Sequence, residues 1–119
     1  MTLRNPTSQL PLTPAVLHIL LALAGGERHG YAIAGEVEET TSGSVRMGPG
    51  TLYGSIRRMS SAGLIEEVSP KRAADDDERR RYYRLTAFGR RVLELEVQRL
   101  DRVVRVAKRK HVLGDAGAL

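Results

Sequence analysis

The chain has 119 residues and no cysteine, so it fits one compact domain without disulfides, thiolate metal sites or a cysteine nucleophile. Lysine and arginine total 19 against 14 aspartates and glutamates, which gives a formal net charge of +5 and a pI of about 10.1. A basic balance of this kind is typical of nucleic-acid binders. The longest apolar run is too short for a bilayer and the N-terminus lacks a signal-peptide pattern, so we expect a cytoplasmic protein.

The first predicted helix follows a polar arm, residues 1–12, which carries two prolines and which we expect to be loosely held. Thr13 is a good N-cap, and Pro14 suits the first helical position. The helix is apolar on nearly all sides, which predicts burial, and Gly25-Gly26 ends it.

The segment HGYAIAGEVEE, residues 29–39, predicts a second helix with His29 in the turn before it. Its glutamates are expected to face solvent. Its apolar residues are expected on one inward side: Tyr31, Ile33, Ala34 and Val37.

The segment MGPGTLYGSIRRM, residues 47–59, predicts the third helix. Leu52, Ile56 and Met59 are spaced i, i+4, i+7 and form its core face. The far side carries small residues followed by paired cations: Gly50, Thr51, Gly54, Arg57 and Arg58.

Two strand candidates come next, at residues 64–69 and 79–86, joined by the charged loop PKRAADDDE. A helix-turn-helix followed by a hairpin predicts a winged helix-turn-helix DNA-binding domain. The expected fold class is therefore mainly α with a small β-hairpin, completed by a C-terminal dimerisation helix.

That last helix is predicted from about residue 87 to residue 112, with Thr86 as its N-cap. Apolar residues spaced 4, 3, 4, 3 form a seam typical of coiled coils: Leu93, Val97, Leu100, Val104 and Ala107. One small domain cannot easily cover this seam, so we expect a homodimer; the alternative is that the seam packs on its own domain. The expected organisation is an arm at 1–12, the winged helix-turn-helix at 13–86, and the dimerisation helix and tail at 87–119.

The third helix is the expected recognition helix, because small residues at its start admit it to the major groove and arginines bind phosphate or guanine. The basic ends of the hairpin loop are expected to track phosphates, whereas its acidic tip, residues 75–78, would repel DNA. The candidate DNA-binding residues are Gly50, Thr51, Tyr53, Gly54, Ser55, Arg57, Arg58, Lys71, Arg72, Arg79, Arg80 and Arg81. Each also has a structural alternative, such as a turn glycine, an N-cap, a partly buried tyrosine or a solvated cation.

The sequence offers no constellation for catalysis. The three histidines lie on different elements without ligand spacing, and the acidic tract is not a positioned pair. No glycine-rich loop of the phosphate-binding type is present. We therefore expect no enzymatic activity, no cofactor and no metal.

Three stretches resemble the signature segments of the PadR family of bacterial transcriptional regulators: HGYAIAGEVEE (29–39), GPGTLYGSIRRMSSAGLIEE (48–67) and RRRYYRLTAFGRRVLELE (79–96). The resemblance covers roughly residues 12–100. It implies a winged-helix repressor that dimerises through its C-terminal helix and binds a double-stranded, palindromic operator. It also implies release from DNA by a small hydrophobic or phenolic effector.

The chain departs from that family's pattern at two points. Gly54 stands where the family usually has proline, and tryptophan, which stacks flat drugs in some members, is absent. An effector pocket would therefore be lined by Phe88, Leu93, Val97, Leu100 and Val104.

A second function fits the same residues, namely a winged helix that binds a protein partner through its acidic loop tip and its apolar last helix. Salt separates the two functions, because phosphate binding weakens steeply with salt whereas an apolar interface does not.

Overall fold

The computed structural model describes residues 5–68 and 81–113, in which a short 3₁₀ helix (Pro6–Gln9) precedes four α-helices and three strands. The helices are α1 (Pro14–Ala24), α2 (Gly30–Thr40), α3 (Pro49–Ser61) and α4 (Ala87–Arg109). The strands are β1 (Arg28–His29), β2 (Ile65–Val68) and β3 (Tyr82–Leu85). The predicted class, mainly α with a small β-hairpin, is confirmed, and α4 ends three residues before the predicted position.

Side-chain caps fix where the helices begin. The Thr13 hydroxyl accepts a hydrogen bond from the Val16 N–H at 3.3 Å, and the Thr86 hydroxyl accepts one from the Gly89 N–H at 2.9 Å. At the start of α2, His29 Nδ1 accepts from the Ala32 N–H at 3.2 Å. These caps satisfy backbone donors that have no partner inside the helix.

The sheet contains one strand more than the predicted hairpin. β2 and β3 pair antiparallel with Ile65 opposite Leu85, and β1 adds to the free edge of β3 with His29 opposite Tyr82. The strand order is β1-β3-β2. The His29 and Tyr82 rings meet edge to face with centroids 5.5 Å apart. A two-residue strand has no alternation that sequence could reveal, which is why it was not predicted.

The core lies between the helices and the inner face of the sheet. Tyr83 supplies the aromatic part from β3 and is 5% exposed. The fully buried aliphatic residues come from α1, α2, α3, β2 and α4: Ile19, Leu20, Leu23, Ile33, Val37, Met59, Ile65 and Val92. The predicted inward side of α2 is wrong at Tyr31, which is 71% exposed. Tyr31 lies two residues, or about 200°, around the helix from Ile33, so it points away from the core.

Residues 5–12 are not loosely held, in contrast to the prediction. The 3₁₀ helix packs on α4, and the Leu12 N–H donates a hydrogen bond to Glu96 Oε2 at 2.7 Å. Glu96 is only 1% exposed and also accepts from Arg99 Nε at 2.5 Å. The Arg99 hydrogen bond and the Leu12 hydrogen bond together outweigh burial, so the pKa of Glu96 is lowered.

The first half of α4 packs tightly against the end of β2. Gly89 approaches the backbone of Leu64 so closely that a Cβ at residue 89 would lie 1.9 Å from the Leu64 carbonyl oxygen. That oxygen also accepts the Thr86 N–H at 3.1 Å. A side chain at position 89 would therefore meet backbone that is already held in place.

Candidate DNA-binding surface

α3 presents two different faces. Gly48 is its N-cap without a side-chain hydrogen bond, and Pro49 occupies the first turn. The inward face carries the buried residues Leu52, Ser55, Ile56 and Met59. The outward face carries the exposed residues Gly50, Thr51, Tyr53, Arg57 and Arg58, with Gly54 half-buried beside them. The core face predicted for this helix is thus confirmed, and an exposed face with small residues and two cations remains.

Ser55 does not share the outward face on which it was predicted. Its side chain is 3% exposed, and its hydroxyl lies 3.3 Å from Arg58 Nη2, from which it accepts a hydrogen bond. Ser55 lies four residues from Met59 and one from Ile56, so helical geometry turns it toward the core. Its place in this surface is as a support for Arg58.

Tyr53 stands at the edge of the outward face and is 37% exposed. Its hydroxyl lies against Gly30, where an added Cβ would come within 2.4 Å of the oxygen. The start of α2 and the recognition helix therefore touch at this point. Glycine at position 30 permits the contact.

Two arginines of the surface differ in how they are held. Arg57 is exposed and has no ion pair or side-chain hydrogen bond within the described residues. Arg81, just before β3, is exposed and lies 3.6 Å from Glu67 Oε1. An exposed pair at that distance is weak, so both guanidinium groups are available for an anion.

The remaining residues that were predicted to bind phosphates lie outside the described residues. They are Lys71, Arg72, Arg79 and Arg80, and the acidic tip 75–78 lies outside as well. Next to them, β2 and β3 carry an exposed pair in which Arg84 Nε is 2.8 Å from Glu66 Oε2.

The seam of α4 divides into two parts. Leu93 is 6% exposed and belongs to the protomer core, so the alternative of packing on its own domain holds for this residue. Phe88 is half-buried and packs against the same core. Further along, Val97 is 43% and Val104 40% exposed, and Leu100 and Ala107 are half-buried. Two flanking valines, Val103 and Val106, are exposed as well.

The structure gives no positive sign of a metal site or membrane span in the part of the chain it describes. Histidine, aspartate and glutamate residues do not gather there in groups of three or more that could hold a metal ion. None of the helices within residues 5–68 and 81–113 has the length and apolar character that crossing a bilayer requires.

The model of the "Transcriptional regulator PadR-like family" matches residues 16–95, which include all of α2, α3 and the sheet. The chain belongs to the PadR-like family. Its family is one of transcriptional regulators, and the predicted assignment to transcription regulation rather than to enzymes is confirmed.

Two sequence relatives and two solved structures illustrate this membership. The chain is 36% identical over 89 residues to an uncharacterised 37.1 kDa protein in transposon TN4556 of Streptomyces fradiae, which covers 75% of the chain but 24% of that protein. It is 35% identical over 89 residues to transcriptional regulator Rv3488 of Mycobacterium tuberculosis, covering 75% of the chain and 78% of that protein. The chain thus spans about a quarter of the first relative's length.

The solved structures include a PadR family transcription regulator from Clostridium difficile R20291, with 29% identity, a TM-score of 0.69, and coverage of 82% of this chain and 97% of that one. Bacillus subtilis PadR in complex with operator DNA matches at 21% identity with a TM-score of 0.55, covering 66% of this chain and 44% of that one. The second likeness shows the fold.

Proposed function

We propose that this protein is a homodimeric transcriptional repressor that inserts α3 into the major groove of a palindromic operator and is released by a small-molecule effector. The observation that carries the proposal is the outward face of α3, where small residues precede two exposed arginines. Leu52, Ile56 and Met59 anchor the opposite face in the core. The helix is therefore fixed while its outward side stays open to a groove.

Each residue of that face has a chemical role in the proposal. Gly50 and Gly54 allow close approach of the helix backbone to base edges. Thr51 donates or accepts one hydrogen bond, and Tyr53 reaches a phosphate through its hydroxyl. Arg57 and Arg58 pair bidentately with phosphate oxygens or with guanine.

The proposed homodimer follows from the second half of α4. This 23-residue helix is about 35 Å long, and its buried residues end at Glu96. Beyond that point Val97, Val103 and Val104 are exposed. A second copy related by a two-fold axis would cover these valines and place two copies of α3 about 34 Å apart, on successive major-groove faces of a palindrome.

The dimer is tested by light scattering after gel filtration of two matched variants. Val104→Glu places a charge on the proposed interface and is expected to yield monomers that have lost operator affinity. Val112→Glu makes the same change at a residue that is 75% exposed beyond α4. It is expected to remain dimeric. A dimeric Val104→Glu, or a monomeric wild type, would contradict the proposed assembly.

DNA binding is supported by the family and by the operator complex of Bacillus subtilis PadR, and is tested by fluorescence anisotropy on the chain's own promoter region. The expected result is tight binding to that duplex, weaker binding to a scrambled duplex and a steep loss with salt. Equal and salt-insensitive binding to both duplexes would favour the protein-interaction function instead.

A further inference from the structure

A cleft of about 500 Å³ lies between the start of α2, the edge of α3 and the residues at β3. Four of its lining residues carry aromatic rings: His29, Tyr31, Tyr53 and Tyr83. Arg57 and Arg81 line it too. Aromatic walls with a few convergent polar groups, at a volume of about 300–1,000 Å³, are the usual make-up of a small-molecule site.

Tyr31 is the residue that core packing leaves unexplained. Its ring is 71% exposed although it is a large side chain on a helix whose other apolar residues face inward. Because it lines the same cleft as Tyr53, the two phenol rings offer surfaces on which a flat ring can stack.

The polar groups of the cleft favour an anion. Arg57 has no ion pair within the described residues, and the partner of Arg81, Glu67, lies at 3.6 Å in an exposed pair. The ring of Tyr83 is 5% exposed, and burial followed by the charge of Glu67 raises the pKa of its phenol. Tyr83 therefore stays protonated at neutral pH and is able to donate a hydrogen bond.

We propose that this cleft binds a small planar aromatic anion, with its ring against Tyr31 and Tyr53 and its acidic group on Arg57 and Arg81. The inference deepens the proposed function, since the ligand would be the effector. Arg57 belongs both to this cleft and to the outward face of α3, so the ligand and the DNA would compete for the same guanidinium. Release would then be direct and would need no change in the spacing of the dimer.

A DNA phosphate is the competing occupant of the cleft, and the lining argues against it as the sole one. A phosphodiester would use the two arginines but has no ring to lie against the tyrosines. The test therefore separates the aromatic part of recognition from the charged part.

The probe is 2-naphthoate, titrated into the full chain without DNA by isothermal titration calorimetry. Two compounds serve as controls: 2-naphthamide keeps the ring and lacks the charge, and cyclohexanecarboxylate keeps the charge and lacks the aromatic ring. We expect measurable binding of naphthoate and at least about tenfold weaker binding of each control, in line with one lost charge-assisted hydrogen bond or ring contact. Equal binding of all three compounds, or no binding of naphthoate, would overturn the proposal.

The variants localise the binding. Tyr31→Ala and Arg57→Gln alter exposed side chains, so both should fold, and each is expected to weaken naphthoate binding about tenfold. Arg102→Gln removes an equally exposed arginine of α4 that does not line the cleft and should leave binding unchanged. A loss in Arg102→Gln as large as in Arg57→Gln would overturn the assignment to this cleft.

A second measurement adds naphthoate to the protein–operator complex and follows anisotropy. Displacement that is weakened in Tyr31→Ala supports the competitive role, whereas naphthoate bound without displacing DNA overturns it. Because the calorimetry uses no DNA, failure of the chain to bind an operator would leave the ligand result standing. Absence of naphthoate binding together with normal operator binding would overturn only the cleft proposal.

Discussion

Replacing Gly89 with alanine tests how the wing and α4 are joined. The new Cβ would lie 1.9 Å from the Leu64 carbonyl oxygen and 2.8 Å from its carbon. Both atoms are backbone, and the oxygen is held by the N–H and the hydroxyl of Thr86 at 3.1 Å each. No side-chain rotation relieves this contact, so α4 or β2 must shift.

The expected cost follows from two opposing effects. Overpacking costs about 1–3 kcal/mol, and a backbone contact this short belongs at the upper end. Alanine returns at most about 1 kcal/mol through its helix propensity. We expect a net loss of about 2 kcal/mol in the free energy of unfolding, or roughly 8–16 °C in Tm for a domain of this size.

The assay is urea unfolding followed by circular dichroism at one fixed protein concentration, because dimer stability depends on concentration. Gly35→Ala is the matched control: it lies in α2, is exposed, and its Cβ would meet nothing within 4 Å. It should raise stability by up to about 1 kcal/mol. A Gly89→Ala protein as stable as the wild type would refute the packing described for this junction.

Two further predictions concern α4 and α3. Glu96→Gln should lower stability at neutral pH and flatten its acid dependence: the lowered pKa means that wild-type Glu96 contributes stability above the ordinary value of 4.5, which is lost as pH falls through the folded-state pKa, and urea midpoints measured from pH 7 to pH 3 check this. Gly54→Ala should raise the unfolding free energy by up to about 1 kcal/mol, since its Cβ meets only the flexible end of Arg58 at 3.4 Å, yet weaken operator binding about tenfold by adding a methyl where the helix approaches DNA. Unchanged affinity in Gly54→Ala would remove that residue from the interface.

The order of helices and strands was predictable because it rests on local signals. Thr13 and Thr86 announce the starts of α1 and α4, and the spacing of Leu52, Ile56 and Met59 determines the inner face of α3. Each of these signals is contained in a few adjacent residues and is read without knowing the rest of the fold.

The features that were missed depend on distant parts of the chain. Glu96 reads as a solvated residue of a polar helix, and it is buried because Leu12, 84 residues away, and Arg99 supply its partners. Tyr31 and Ser55 were placed by composition rather than by angle, since an apolar ring was assigned inward and a small polar residue outward. The cleft likewise joins residues of α2, α3 and the approach to β3, which no local pattern brings together.

The central claim, that the outward face of α3 binds operator DNA, is tested most directly by measuring the salt dependence of binding for Arg58→Ala beside Arg102→Ala. Each removes one exposed arginine per protomer, from α3 and from α4 respectively. The account predicts that Arg58→Ala weakens binding by about 1–3 kcal/mol, with relaxed sequence preference, whereas Arg102→Ala keeps the wild-type affinity and salt slope. Equal affinities and equal salt slopes for wild type and both variants would contradict it.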